Sequence, residues 1–275
     1  MTWAEQQTAA VCRRPGTMGK RAPPGARDSI DAVRTVVVIQ ARMGSTRLPG
    51  KVLEPLAGAP VLDWVVERCR AIAGASEVIV ATSTAAGDAA IAEHCAARGV
   101  ACHRGSEDDV LARFFEAAGP HAPDCVVRVT ADCPFVDPEL AGRAVALLGL
   151  EQTDLVLIEG EDELPRGLVA EALSFAALAR MHAGTTLPRH REHVTTYAYE
   201  FPSEFRLSRL APGAGLRAPG LRMTLDTAED LRVLRAVAEG LGGDRLAPTT
   251  RAVRWLVEHP AVAAWNAGVQ QKPVV

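Results

Sequence analysis

An α/β fold, Rossmann-like and doubly wound around a mostly parallel sheet, is predicted by three features of the 275-residue sequence. Short, continuous apolar runs recur in its first half, as expected for strands covered on both faces. Amphipathic segments of helical length separate them, the alternation that gives parallel strands joined by crossover helices. Two of the runs lead into loops dense in charged and hydroxyl residues, and ligands of such sheets bind at the carboxyl ends of the strands.

The elements follow in order. Residues 1–34 carry Arg13, Arg14, Lys20, Arg21, Arg27 and Arg34 against Glu5, Asp28 and Asp31, with three prolines and no apolar periodicity. This reads as a disordered basic extension, with Met18 a candidate natural start. Order is expected from Thr35, where Thr35-Val36-Val37-Val38-Ile39 forms the first strand. An amphipathic helix is expected over 60–73, and Glu77 to Thr82 is a second buried strand. Asp88 to Arg98 reads as a helix closed by Gly99, and Val100 to Cys102 as a short strand. Glu107 to Ala118 reads as a helix capped by Ser106, and Asp124 to Val129 as a further strand. Pro138 to Leu148 is a helix with proline in its first turn and Asp137 as its cap. Beyond residue 150 the pattern loosens. Strands are expected at Thr153–Ile158, Phe205–Leu210 and Leu221–Leu225, and helices at Ser174–Met181, Glu192–Tyr199, Thr227–Gly240 and Thr250–Glu258. Residues 35–275 read as a single domain.

Composition narrows the function. Hydrophobic residues make up 48 % and aromatics only 4 %, so a sizeable core must be filled by Ala, Val and Leu. The net charge of −3 becomes −6 once residues 1–34 are set aside. A general nucleic-acid binder would need a basic surface instead. No apolar stretch reaches the roughly 18–20 residues of a membrane helix, and no secretory leader pattern opens the chain, so a cytoplasmic location is expected. The six cysteines include no Cys-x-x-Cys pair and suit buried free thiols. Cys95 and Cys102 with His94 and His103 are the one group resembling zinc ligands, but they span a helix end and the next strand.

The chemistry concentrates in three places. The loop after the first strand, Gln40 to Lys51, offers the cations Arg42, Arg47 and Lys51, the hydroxyls of Ser45 and Thr46, and Gly44 and Gly50 for close backbone approach. Such a loop suits a polyphosphate. It is neither a Walker A loop, since Gly44 is one residue too far from Gly50-Lys51 and Val52 replaces the hydroxyl, nor a dinucleotide fingerprint. Asp132, in Thr130-Ala131-Asp132-Cys133-Pro134, follows another central strand and shares that edge. Asp226 ends the late strand. It suits either a metal ligand or the N-cap of a helix from Thr227, with Glu229 completing a capping box. Two strand-end carboxylates beside a polyphosphate loop fit Mg²⁺-assisted phosphoryl transfer.

These residues carry a resemblance. The block Gln40 to Lys51 resembles the signature of the cytidylyltransferase family that includes the spore-coat-polysaccharide (SpsF-type) proteins. More distantly it is similar to CMP-ketodeoxyoctulosonate and CMP-sialate synthetases. Supporting blocks are Val80-Ala81-Thr82-Ser83, Arg104 to Leu111, Arg128 to Pro134, Arg191 to Thr195 and Asp226 to Leu231, so the likeness spans about residues 35–240. It implies a glycosyltransferase-A-like nucleotidyltransferase fold, usually a homodimer, that uses CTP and Mg²⁺. By motif, Arg42, Lys51, Asp132 and Asp226 are the catalytic set, with the two aspartates as metal ligands. The nucleotide would be held by Ala41, through its backbone, with Arg42, Gly44, Ser45, Thr46, Arg47, Lys51, Thr82, Ser106 and Thr130. Arg166, Glu171 and His193 would face the acceptor, within a region of about 153–212 that also serves dimerisation. One departure stands out. Leu164 to Glu171 has Arg166 and Val169 where relatives often carry acids, while Glu171 is kept, which suggests a changed, anionic acceptor.

The expected reaction is transfer of CMP from CTP to a small sugar, sugar acid or phosphonate, releasing pyrophosphate. The alternatives are a glycosyltransferase on the same fold, a transferase of another nucleotide, and a catalytically silent nucleotide-binding homologue.

Overall fold

The computed structural model describes residues 33–271. The expected basic extension therefore lies outside the described residues except for Val33 and Arg34. The elements are β1 (Thr35–Gln40), a small hairpin of β2 (Pro55–Leu56) and β3 (Ala59–Pro60), α1 (Val61–Arg70), β4 (Ala75–Ser83), α2 (Ala89–Ala97), β5 (Ala101–Gly105) and α3 (Val110–Ala118). Then come β6 (Cys125–Thr130), α4 (Pro138–Glu151), β7 (Leu155–Ile158), β8 (Glu171–Ser174), α5 (Phe175–Gly184), α6 (Pro188–Glu192), α7 (Thr196–Glu200) and β9 (Leu207–Leu210). The helices α8 (Ala228–Gly240), α9 (Thr249–Glu258) and α10 (Pro260–Ala263) complete the set.

Seven strands form one sheet in the order β5-β4-β1-β6-β8-β7-β9. β1 pairs parallel with β4 and β6, β4 with β5, and β7 with β9; only β8 runs antiparallel, between β6 and β7. This is the mixed, mostly parallel sheet that the apolar runs predict. Alternation along β1 sends Val37 and Ile39 to one face, with α1, α2 and α4, and Val36 and Val38 to the other, with α3 and α5. Both faces are covered, which is why these strands read as unbroken apolar runs. A further cluster joins α8 and α9 to Trp64, Phe135 and Leu168. The buried Arg68 guanidinium reinforces that join by donating to Val136 O, Arg245 O and Ala247 O at 2.7, 2.8 and 3.0 Å. The connection between α8 and α9 is thereby held against α1 and the segment after β6. No helix among the described residues is long and apolar enough to cross a membrane.

Several local expectations are corrected. The helix expected from Glu107 starts at Val110, and its cap is Asp109, which accepts from Ala112 N at 2.8 Å. Ser106 instead closes the preceding turn by accepting from Asp109 N at 3.1 Å. The helix expected over Glu192–Tyr199 is two short ones broken at His193–Thr195. Leu221–Leu225 makes only one isolated bridge, Arg222 to Arg166, because its next backbone bonds go to the Arg166 and Asp132 carbonyls rather than to a strand. The β8 strand escapes a sequence reading, being four residues long and placed directly before the helix that Ser174 caps.

Candidate active site

The carboxyl edge of the parallel half of the sheet gathers the charged residues. After β1 the chain folds back on itself: Ser45 N and Gly50 N both donate to Met43 O, at 2.9 and 3.0 Å. Gly50 turns the corner with φ of 74°, a left-handed conformation that glycine adopts without steric cost. A short 3₁₀ turn, Lys51–Leu53, then points the Lys51 stem inward, where the residue is buried. Its Nζ donates to Asp132 Oδ2 at 2.7 Å, to Asp226 Oδ1 at 2.9 Å and to Leu225 O at 2.6 Å. Asp132 follows β6, and Asp226 stands before α8. One ammonium therefore ties together three segments far apart in sequence.

Asp226 is surrounded by cations. Arg47 Nη2 lies 2.9 Å from Asp226 Oδ2, and Arg222 Nη2 bonds the same oxygen. Burial raises the Asp226 pKa, but Lys51, Arg47 and Arg222 together take it below its ordinary value. Burial likewise disfavours the Lys51 cation, and Asp132 and Asp226 more than offset it, so its pKa is raised. Lys51 and Asp226 are therefore both charged at neutral pH. Behind them, the fully buried Asp230 accepts from Arg222 Nε at 2.8 Å and from Asn266 Nδ2 at 2.9 Å, and Leu225 N donates to Asp132 O at 2.8 Å. These contacts hold the two aspartate-bearing segments side by side.

The alternative role of Asp226 as a helix cap does not hold. The cap of α8 is Thr227, and the acid completing its capping box is Asp230, not Glu229. The Asp226 carboxylate is left to face the cations.

The donor set fits a hard divalent cation. Two carboxylates converge on one cationic point, where the Lys51 ammonium now sits, beside a loop suited to phosphate oxygens. Among the described residues no group of three or more His, Cys, Asp or Glu side chains could hold a metal. A metal ion would therefore draw on Asp132, Asp226 and oxygens of substrate or water.

Arg42, Gly44 and Thr46 are exposed on the loop, and Ser45 Oγ accepts from Leu48 N at 3.4 Å. Ala41 N donates to Ala81 O at 3.1 Å, so any contact to a base falls to its carbonyl. Thr82 is fully buried at the end of β4, and Thr130 Oγ1 lies 3.2 Å from Cys133 Sγ. Ser106 is exposed in the turn after β5. Glu171 lies apart from the Lys51 cluster. It pairs with Arg128, accepts from Thr195 Oγ1 at 2.9 Å and binds the Tyr199 hydroxyl. Burial raises its pKa, and Arg128 and the two hydroxyls bring it below its ordinary value. Arg166 is exposed, and both it and Glu171 act on Glu161: burial and then Glu171 raise the Glu161 pKa, and Arg166 opposes them. His193 is half-buried in the break between α6 and α7.

One residue that sequence reasoning missed is Asp88. Its buried carboxylate accepts from Met43 N at 2.7 Å, Ser83 N at 3.1 Å and Ser83 Oγ at 2.6 Å, locking the loop after β1 to the end of β4. An acid in the first turn of a predicted helix is ordinary, so nothing in the sequence signals this clamp.

A doubly wound sheet with a cation-rich loop and two carboxylates at its carboxyl edge is the architecture of a nucleotidyltransferase. Residues 36–240 match the cytidylyltransferase family, and the chain belongs to it. The chain is 34 % identical over 241 residues to an uncharacterized protein of Methanocaldococcus jannaschii, covering 87 % of this chain and 97 % of that one. It is 36 % identical over 210 residues to the spore coat polysaccharide biosynthesis protein SpsF of Bacillus subtilis, covering 74 % and 86 %. Among solved structures, a cytidylyltransferase from Leptospira borgpetersenii superposes with a TM-score of 0.78 at 26 % identity, covering 88 % of this chain and 99 % of that one.

Proposed function

We propose that this chain transfers a cytidylyl group from CTP to a small acceptor, with Mg²⁺ held by Asp132 and Asp226. The observation that carries the reading is the Lys51 ammonium bound at once to both carboxylates beside the phosphate loop. Bound there, the ion would neutralise phosphate charge and polarise the α-phosphate. An acceptor oxygen attacks the α-phosphorus, the bond to the bridging oxygen of the β-phosphate breaks, and pyrophosphate leaves while the acceptor proton passes to solvent or a nearby base. Lys51 and Arg42 meet the charge that grows on the leaving pyrophosphate, and Arg47 steadies the triphosphate. Asp88 keeps the loop in register with the β4 end. Most of the acceleration comes from positioning and electrostatics rather than covalent chemistry.

The acceptor side is the corner of Arg166, Glu171 and His193. The exposed Arg166 favours an acceptor bearing a carboxylate or phosphonate, and the name of the Bacillus relative points to sugar chemistry. A homodimer and a cytoplasmic location belong to the same reading. The exposed Leu187, Tyr199 and Phe201 around α6 and α7 support a self-association face in the 153–212 region.

The test is a pyrophosphate-release screen with CTP, UTP and GTP against sugar acids, phosphonates and simple sugars. Release with CTP and an anionic acceptor is expected. Release of a nucleoside diphosphate from a nucleotide sugar would instead identify a glycosyltransferase. Nucleotide binding with no release across the panel would identify a silent homologue.

A further inference from the structure

Past α10 the chain returns to the phosphate loop, and no step of the proposed reaction uses this segment. Its root is firm. The Arg232 guanidinium carbon sits 3.7 Å from the centre of the Trp265 ring. Asn266 is buried, and its Nδ2 donates to Asp230 Oδ1 at 2.9 Å and to Arg222 O at 3.2 Å. Its tip is lightly held. Ala267 and Gly268 are exposed, and a Cβ added at Gly268 would meet nothing within 4 Å. Val269 is half-buried, and Gln270 and Gln271 are exposed. This tip touches two arginines of the site. Gln270 O accepts from Arg47 Nη1 at 2.9 Å, and Gln271 Oε1 accepts from Arg222 Nη1 at 3.1 Å.

These contacts occupy a cation that the reaction needs. Arg47 Nη2 is already paired with Asp226 Oδ2 at 2.9 Å, so the tail takes the other terminal nitrogen. A phosphate oxygen that is to bond Arg47 Nη1 must displace the Gln270 carbonyl. That carbonyl is a neutral acceptor, whereas a triphosphate oxygen is charged and bonds roughly twice as strongly. The exchange therefore runs toward the nucleotide when a triphosphate is present, and toward the tail when it is absent. Because a main-chain oxygen makes the contact, the path of the chain sets it, not the side chain at position 270.

We propose that residues 267–271 are an autoinhibitory strap, closed on Arg47 and Arg222 in the free protein and opened by the triphosphate that takes Arg47. This rests on the reading of Arg47 as a triphosphate ligand. The root at Trp265 and Asn266 stays in place, and the exposed Ala267-Gly268 pair lets the tip swing. While the strap is closed, less of the protein is ready to bind, and the apparent affinity for a triphosphate falls by the same factor. A ligand without β- and γ-phosphates makes no claim on Arg47 and leaves the strap shut. Once pyrophosphate has left, the strap closes on Arg47 again and opposes its return.

The test ends the chain at Gly268, which keeps the Trp265 and Asn266 root. CTP, inorganic tripolyphosphate and CMP, each with Mg²⁺, are titrated into the full and the shortened protein by calorimetry, with melting temperatures alongside. Removing one competing neutral hydrogen bond should tighten CTP and tripolyphosphate by about 3–10-fold and leave CMP unchanged. Unchanged or weaker triphosphate binding by a folded, shortened protein would overturn the strap. So would a gain that extends to CMP, or one that survives in an Arg47→Ala background. If the shortened protein does not fold, hydrogen exchange in the full chain decides. The Val269 amide, bonded to Asn266 O at 3.0 Å, should exchange faster once tripolyphosphate binds, and equal or slower exchange would overturn the strap. A gain for tripolyphosphate with no CTP binding by either protein contradicts the CTP reading and leaves the strap standing. Binding of neither ligand contradicts both.

Discussion

Lys51 holds two carboxylates that would otherwise repel each other, and in the proposed reaction it would also face phosphate. Such a contact to a triphosphate oxygen would be charge-assisted and worth about 1.5–3 kcal/mol. Lys51→Ala should therefore weaken CTP binding by about 10–150-fold, measured by calorimetry. The fold should survive, because Arg47 and Arg222 still neutralise Asp226. An unchanged affinity would remove Lys51 from the phosphate site. Which residues meet was partly legible at this scale. Lys51, Asp132 and Asp226 each follow or flank a run that reads as a buried strand, and the structure joins them. Asp88 was not legible, because an acid at a helix start is an ordinary residue until its partners are seen.

Among the elements, the parallel core was readable because β1, β4 and β6 are covered on both faces and so are written as continuous apolar runs. The region after residue 150 was harder. There β8 is antiparallel and short, and the expected strand over Leu221–Leu225 is an extended segment held by single bonds. That segment matters because it positions Asp226. Gly167, with φ of 99°, packs so tightly on it that a Cβ would meet Thr224 Cβ and Thr224 N at 2.9 Å. Gly167→Ala combines left-handed strain of about 1–2 kcal/mol with that clash. It should lower the melting temperature and, by pushing the segment that carries Asp226, also slow pyrophosphate release. A variant that melts lower but keeps the full rate would show that the segment is not coupled to the site.

Across the whole molecule, the site is completed by the segment before α8, which brings Asp226 to the Lys51 ammonium beside Asp132, 94 residues earlier in the chain, an arrangement that no local pattern announces. Buried ionised groups run through this architecture, and they set its response to pH. Burial raises the pKa values of Asp88, Asp154, Glu171 and Asp226. Their partners, respectively Ser83 and Met43, Arg180 and Arg206, Arg128, and Lys51, bring each below its ordinary 3.8 or 4.5. Groups depressed in this way stabilise the fold fully above their unfolded values, and that stability is lost as pH falls through the folded ones. The raised Lys51 contributes fully below its ordinary 10.5 and is lost only at higher pH. The melting temperature should thus be level from about pH 5 to pH 8 and drop below about pH 4. A main loss between pH 7 and 5 would assign the stability to histidines instead. The proposed chemistry rests most on Asp132 and Asp226 acting together as metal ligands, and the direct measurement is pyrophosphate release against Mg²⁺ concentration for Asp226→Asn. The substitution keeps shape and removes one negative ligand, and α8 is capped by Thr227, so folding should be unchanged. The rate should fall by at least about 100-fold, beyond the usual cost of losing an outer-shell partner, and adding Asp132→Asn should cost little more. Normal release by Asp226→Asn at low Mg²⁺ would contradict the metal pair and, with it, the proposed chemistry.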